Sequence, residues 1–296
     1  MLPFDEKRLA DYSDEELLRY IRASPRMTSL HFCSTTKLSS NLVSKSVSTV
    51  DLSDEIAALR FAQNLGIRVP ILRRTITTPD DPNSYIIMDS IHGVSLEDCW
   101  PELGWIATIR MAFESRKFIQ RMRSITSPTA GGLATGKCNS IFLDDFYEIP
   151  HHATPGVIQS FITFWLQYSR ENRRTYPNTE GFCLHKHLIP PIPTYFVFTH
   201  QDLAPRNIMV DNQNKIWLID WQRAGFYPLY FEYVGMQNFY RDSWSMMAKL
   251  RWWVFGYISV GIFSRELKAL EIVRDNSLAD PLARCVITAS NEDVRY

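Results

Sequence analysis

The feature that most constrains how this chain can fold is a set of three short apolar runs, Tyr195–Thr199, Asn207–Asp211 and Lys215–Ile219, with polar loops between them. Their apolar and β-branched content predicts strands. Asp211-Asn-Gln-Asn214, between the last two runs, supplies the residues a tight hairpin turn requires. Paired in that way, Asn207 opens one strand and Asp220 closes its antiparallel partner, so the two side chains fall at the same end of a hairpin. The preceding loop, His200-Gln-Asp-Leu-Ala-Pro-Arg-Asn207, presents Asp202 to that end.

The residue types suit one kind of chemistry. Mg²⁺ prefers oxygen ligands and commonly takes one or two carboxylates together with substrate phosphates. The Asn207 amide oxygen and the Asp220 carboxylate would supply the protein oxygens, and ATP phosphates the others. Asp202 would then accept the proton of an attacking hydroxyl, the division of labour used in protein kinases. A lone His-x-Asp would read as a capped loop, whereas the full His-x-Asp-(x4)-Asn followed by a strand-terminal Asp reads as a phosphate–metal site.

Composition narrows the partners. Lys+Arg and Asp+Glu are equal, 32 against 32, so no net field steers the chain toward nucleic acid or an anionic membrane, and a small molecule is the expected partner. Five scattered cysteines without a Cys-x-x-Cys pair fit a reducing compartment and argue against a zinc site. The polar N-terminus does not read as a secretory signal, and the longest apolar run, Trp252–Phe263, reads as a buried core helix too short to span a membrane. The expectation is a cytoplasmic protein; oligomeric state is not encoded in any pattern.

Ser13-Asp-Glu-Glu16 is a capping box that predicts a helix over 13–23, and Ser53 predicts a capped helix over 53–65 closed by Gly66. Strands are expected within 28–50, over 71–77 and over 84–88, and helices over 104–125, 157–171, 229–240 and 242–273. A sheet-rich first third and a helix-rich remainder divide the chain into residues 1–91 and 92–296, with the catalytic loop and acceptor site in the second part. His151-His152, His185 and His187 read as solvated loop histidines, and Asp144, Asp145 and Glu148 as an exposed acidic loop.

His200-Gln-Asp-Leu-Ala-Pro-Arg-Asn207 and Ile219-Asp-Trp-Gln-Arg-Ala-Gly-Phe-Tyr-Pro228 resemble the aminoglycoside phosphotransferase/choline kinase-like family, in particular its fungal members, over about residues 40–240. The resemblance implies an α+β, bilobal protein kinase-like fold with a small sheet-rich N-lobe and a larger helical C-lobe. It further implies an ATP- and Mg²⁺-dependent kinase for a small-molecule hydroxyl acceptor. Lys45, on a candidate strand, and Glu55, in the first turn of a candidate helix, fall where that pattern places the phosphate-holding lysine and the glutamate that holds it. Asp89 and Ile91 would form the hinge whose backbone reads adenine, His200 would brace the catalytic loop, and Gly93 would relax the turn into the second lobe. One departure stands out: the first glycine is Gly66, so the turn expected to cover the phosphates offers hydroxyls such as Ser34, Ser39 and Ser40 in place of bare amides. That departure motivates an alternative, a nucleotide-binding scaffold that has lost turnover.

Overall fold

The computed structural model describes residues 4–27, 35–78, 81–168, 185–237 and 243–284. In chain order the elements are α1 (Asp14–Ala23), β1 (Thr35–Lys37), β2 (Leu42–Ser48), α2 (Leu52–Asn64), β3 (Leu72–Ile76), β4 (Asn83–Asp89), β5 (Gly93–Ser95), α3 (Leu96–Cys99) and α4 (Trp105–Arg123). They continue with β6 (Thr126–Ser127), α5 (Pro155–Gln167), β7 (Phe196–Thr199), β8 (Ile208–Asp211), β9 (Ile216–Leu218), β10 (Gly225–Tyr227), α6 (Phe231–Gln237), α7 (Met246–Val260) and α8 (Ser264–Ala279). Two compact units result, and neither is contiguous in sequence: Met1–Glu102 with Pro205–Gln222, and Leu103–Ala204 with Arg223–Tyr296.

The first unit is built on an antiparallel sheet of order β1-β2-β4-β3, in which β2 pairs with β4 from Leu42↔Asp89 to Ser48↔Asn83. α1 carries the expected capping box, with Ser13 and Glu16 satisfying each other's backbone amides. Its apolar stripe, Leu17, Leu18 and Ile21, is buried with Tyr12, Leu38, Leu42, Ile76 and Ile87, and burial of each such side chain contributes about 1.5–3 kcal/mol. Arg74 fixes the entry to this helix through the Leu9 carbonyl and Asp14.

α2 begins one residue earlier than Ser53 suggests. Asp51 sits at its N-cap without a side-chain capping bond, its backbone already helical (φ −93, ψ −9), and one of its carboxylate oxygens accepts from Gln222 Nε2 at 3.2 Å. Gly66 ends the helix region with φ +70. A second antiparallel sheet, β5-β8-β9, completes the unit. Here Gly93 does more than relax a turn: a Cβ at this position would lie 2.1 Å from the Val210 carbonyl oxygen, so the close pairing of β5 with β8 requires glycine.

The second unit holds the sheet β10-β7-β6, with α4 packed on α7 and α5 on α8. The single helix expected over 242–273 is two, because Gly261 adopts φ +96 and ψ −168 and turns the chain between α7 and α8. α7 buries Trp252 and Phe255, whose rings stack at 5.2 Å, but exposes Trp253 and Tyr257; the apolar run is buried on one face only. The acidic loop also differs from expectation. Asp145 is buried, accepting from Arg284 Nε and Nη2 at 2.5 and 2.7 Å and from Trp165 Nε1 at 3.2 Å, so it anchors the end of the described chain. His151 and His152 are exposed, and the His151 ring meets the Thr135 carbonyl. No helix among the described residues is long and apolar enough to cross a membrane.

Candidate active site

In the first unit, β2 delivers Lys45 from the middle of the sheet and α2 delivers Glu55 from its first turn. Lys45 Nζ donates to Glu55 Oε1 at 2.5 Å and to Asp220 Oδ1 at 2.7 Å. Burial alone would lower the Lys45 pKa, but the charges and hydrogen bonds of Asp220 and Glu55 outweigh it and hold the ammonium protonated. Burial pushes the Glu55 carboxyl up against the pull of Lys45. Two carboxylates therefore share one cation, and Glu55 Oε2 is buried without a hydrogen-bond partner.

The hairpin places Asp220 as its spacing predicts. β8 and β9 pair through Ile208↔Leu218, and Ile219 N donates to the Asn207 carbonyl, so Asn207 and Asp220 stand at the same end. Asn207 ends a 3-10 turn (Pro205–Asn207) rather than opening the strand. Asp220 lies past β9 with φ +66, a left-handed conformation that costs a non-glycine residue about 1 kcal/mol and often marks a functional site. Fully buried Trp221 secures the bend, its Nε1 donating to the Leu218 carbonyl. Among the described residues no group of three or more His, Cys, Asp and Glu side chains is arranged to hold a metal ion. A dication here would thus rest on Asp220, the Asn207 amide and oxygens from a ligand, a hard-oxygen set that fits Mg²⁺.

At the proposed hinge, Asp89 N donates to the Ile71 carbonyl and Ser90 N to the Asn41 carbonyl. The Asp89 carboxylate forms a two-point ion pair with Arg73 at 2.6 and 2.8 Å. Arg26 pairs with Thr36 in an isolated β-bridge, and Met27 N donates to the Thr35 carbonyl. Ser34 lies outside the described residues. Ser39 belongs to a different turn: its hydroxyl accepts from the Asn41 and Leu42 amides, and Glu6 clasps Asn41. Its hydroxyl is committed to its own turn rather than offered to a ligand.

The second unit carries the His-x-Asp loop. β7 is buried along its length between β10 and β6 and delivers a fully enclosed loop: His200 is 0% exposed, Gln201 3% and Asp202 8%. His200 Nδ1 accepts from the Asp202 amide at 3.3 Å, which leaves the imidazole proton to Nε2. The backbone amides of His200 and Gln201 donate to the two oxygens of Glu232, at 2.7 and 3.0 Å. Burial pushes the Glu232 carboxyl up to about 7, against the two amides and Arg123, while the charge of Asp202 raises it further. Sequence reading did not assign Glu232 or Gln201 a role; the visible signal was one carboxylate inside the apolar run Tyr230–Val234.

A two-lobed α+β fold with a lysine on its first sheet paired to a helix glutamate and a buried His-x-Asp loop is that of the protein kinase-like phosphotransferases. Solved structures agree at the level of fold. An aminoglycoside-3′-phosphotransferase of type VIII is similar at 13% identity and TM-score 0.50, covering 90% of this chain and 99% of its own. A thermostable mutant of aminoglycoside phosphotransferase APH(4)-Ia, in ternary complex with ADP and hygromycin B, is similar at 14% identity and TM-score 0.55, covering 90% and 91%. The GDP and kanamycin complex of APH(2″)-IIia is similar at 11% identity and TM-score 0.53, covering 97% and 91%. No curated protein matches the sequence. The chain belongs to the phosphotransferase enzyme family APH, whose model matches residues 39–254.

Proposed function

We propose that this protein transfers the γ-phosphoryl group of ATP to a hydroxyl of a small metabolite. The observation that carries this reading is the buried Lys45 ammonium shared between Glu55 and Asp220, an arrangement suited to exchanging one carboxylate contact for phosphate oxygens. Lys45, kept in place by Glu55, would hold the non-transferred phosphates, and Asn207 with Asp220 would hold Mg²⁺. Bound magnesium would neutralise charge on the transferring group and orient it. The purine edge would be read by the backbone at Asp89 and Ile91. There the Asp89 carbonyl and the Ile91 backbone would do this, the Asp89 and Ser90 amides already donating to the Ile71 and Asn41 carbonyls.

Asp202 would orient the acceptor hydroxyl and take its proton as the new oxygen–phosphorus bond forms. The bond from Pγ to the bridging oxygen breaks in the same step, and ADP leaves with that electron pair. His200 would brace Asp202 through the amide contact described above. Most of the rate enhancement in such a site comes from positioning and charge neutralisation. The structural neighbours' hygromycin B and kanamycin complexes support a small-molecule acceptor as a class. We place the reaction in the cytoplasm, in keeping with the free thiols of Cys99 and Cys138.

The test is Mg²⁺-dependent ATP turnover with and without a pool of cellular metabolites, for wild type and Asp220→Ala. Metabolite-stimulated turnover should fall at least about a hundredfold in the variant. The glycine-free stretch before Gly66 favours a second reading, a nucleotide-binding scaffold. ATP binding with Mg²⁺ but no stimulated turnover would establish that reading in place of the first.

A further inference from the structure

Gln201 is a non-glycine residue held at φ +64, immediately before Asp202. Such a backbone is strained for a residue with a side chain and persists only where its surroundings over-determine it. Three contacts from the same unit do so. The Gln201 amide donates to Glu232 Oε1, beside the His200 amide on Oε2. The Gln201 side-chain Nε2 donates to the Arg223 carbonyl at 2.7 Å. One turn along α6 from Glu232, Gly235 lies directly under the loop, where an added Cβ would come within 2.5 Å of the Gln201 carbonyl oxygen. Glutamate and glycine three residues apart on a helix share one face, so a single face of α6 both grips the loop and lets it approach.

We propose that Gln201 is a positioning residue: Glu232 and Gly235 clamp its left-handed peptide, and its side chain ties the Asp202 loop to Arg223. Glutamine is suited to the task in a way glycine is not. Glycine would adopt φ +64 without strain, yet it would leave the loop without the tie to Arg223. The strain is thus retained in exchange for a fixed aim of the adjacent carboxylate, and small misplacements at a reacting centre reduce rates by up to about a hundredfold.

This inference rests on the phosphotransferase reading, and the experiment separates the two. Turnover, nucleotide affinity and melting temperature are measured for wild type, Gln201→Gly, Gln201→Glu and Gly235→Ala. Gln201→Gly should keep or raise the melting temperature and keep ATP affinity within about twofold, while kcat falls about tenfold or more. Gln201→Glu keeps the shape but cannot donate to the Arg223 carbonyl, so it should lose kcat to a similar degree. Gly235→Ala should lower kcat by displacing the loop. A wild-type protein without stimulated turnover removes the underlying function. An active wild type whose Gln201→Gly variant keeps full kcat overturns the clamp, as does a parallel loss of nucleotide affinity and stability in all three variants.

Discussion

Glu232 makes opposite demands on stability and activity. Its carboxyl sits near 7 in the folded protein and near 4.5 when unfolded, so the folded state binds the proton more tightly. The stability this gives is fully present below about pH 4.5 and is lost as pH rises through about 7, a swing on the order of 3 kcal/mol. Turnover should move the other way, because the ionised carboxylate accepts from the His200 and Gln201 amides more strongly than the neutral acid and so holds the loop more firmly. His200, Asp202 and Arg123 face the same region, so the comparison must be differential. Denaturant unfolding at pH 5 and pH 8 should show the wild type losing stability relative to Glu232→Gln, and identical pH slopes would refute the assignment. The residues of the hairpin were legible in the sequence because a short stretch carries them together. Glu232 was not, because its partners lie 31 and 32 positions earlier and only the fold makes them neighbours.

At the scale of elements, local signals worked where they were self-contained. The capping box of α1 is satisfied within four residues, and the hairpin of β8 and β9 follows from its own turn. The same signals failed at two helix ends: α2 begins at Leu52, ahead of Ser53, and the helix expected over 242–273 is broken by a glycine whose apolar surroundings hid its turn. Gly93 gives a direct test of element packing. Gly93→Ala must force β5 away from β8 and should cost about 2–4 kcal/mol. Gly104→Ala, at the N-cap of α4 where a Cβ meets nothing within 4 Å, should cost no more than about 1 kcal/mol, the loss expected when alanine replaces glycine at a helix N-cap. Equal effects in thermal or denaturant unfolding would show that close approach is not what Gly93 supplies.

At the scale of the molecule, Arg284, past the end of α8, is tied back onto the second unit. Its guanidinium pairs with buried Asp145 and lies 5.2 Å over the Phe161 ring. Arg284→Met should cost about 3–5 kcal/mol by leaving a buried carboxylate unpaired, and adding Asp145→Asn should recover part of that loss. A double-mutant cycle with no coupling would show that the pair is incidental. The loop containing Asp145 read as solvated because acidic residues usually are; burial came from a cation more than a hundred positions away.

The interleaving of the two units sets an order of events during synthesis. The first unit closes only when Pro205–Gln222 has been made, about 100 residues after Glu102. At roughly 5–20 residues per second on the ribosome, that delay is on the order of 5–20 s. Throughout it β5 has no β8 to pair with, and Lys45 and Glu55 are without Asp220. A nascent chain stalled within the intervening stretch would therefore carry the Lys45–Glu55 pair on an incomplete support, a natural substrate for chaperones that recognise unpaired strands.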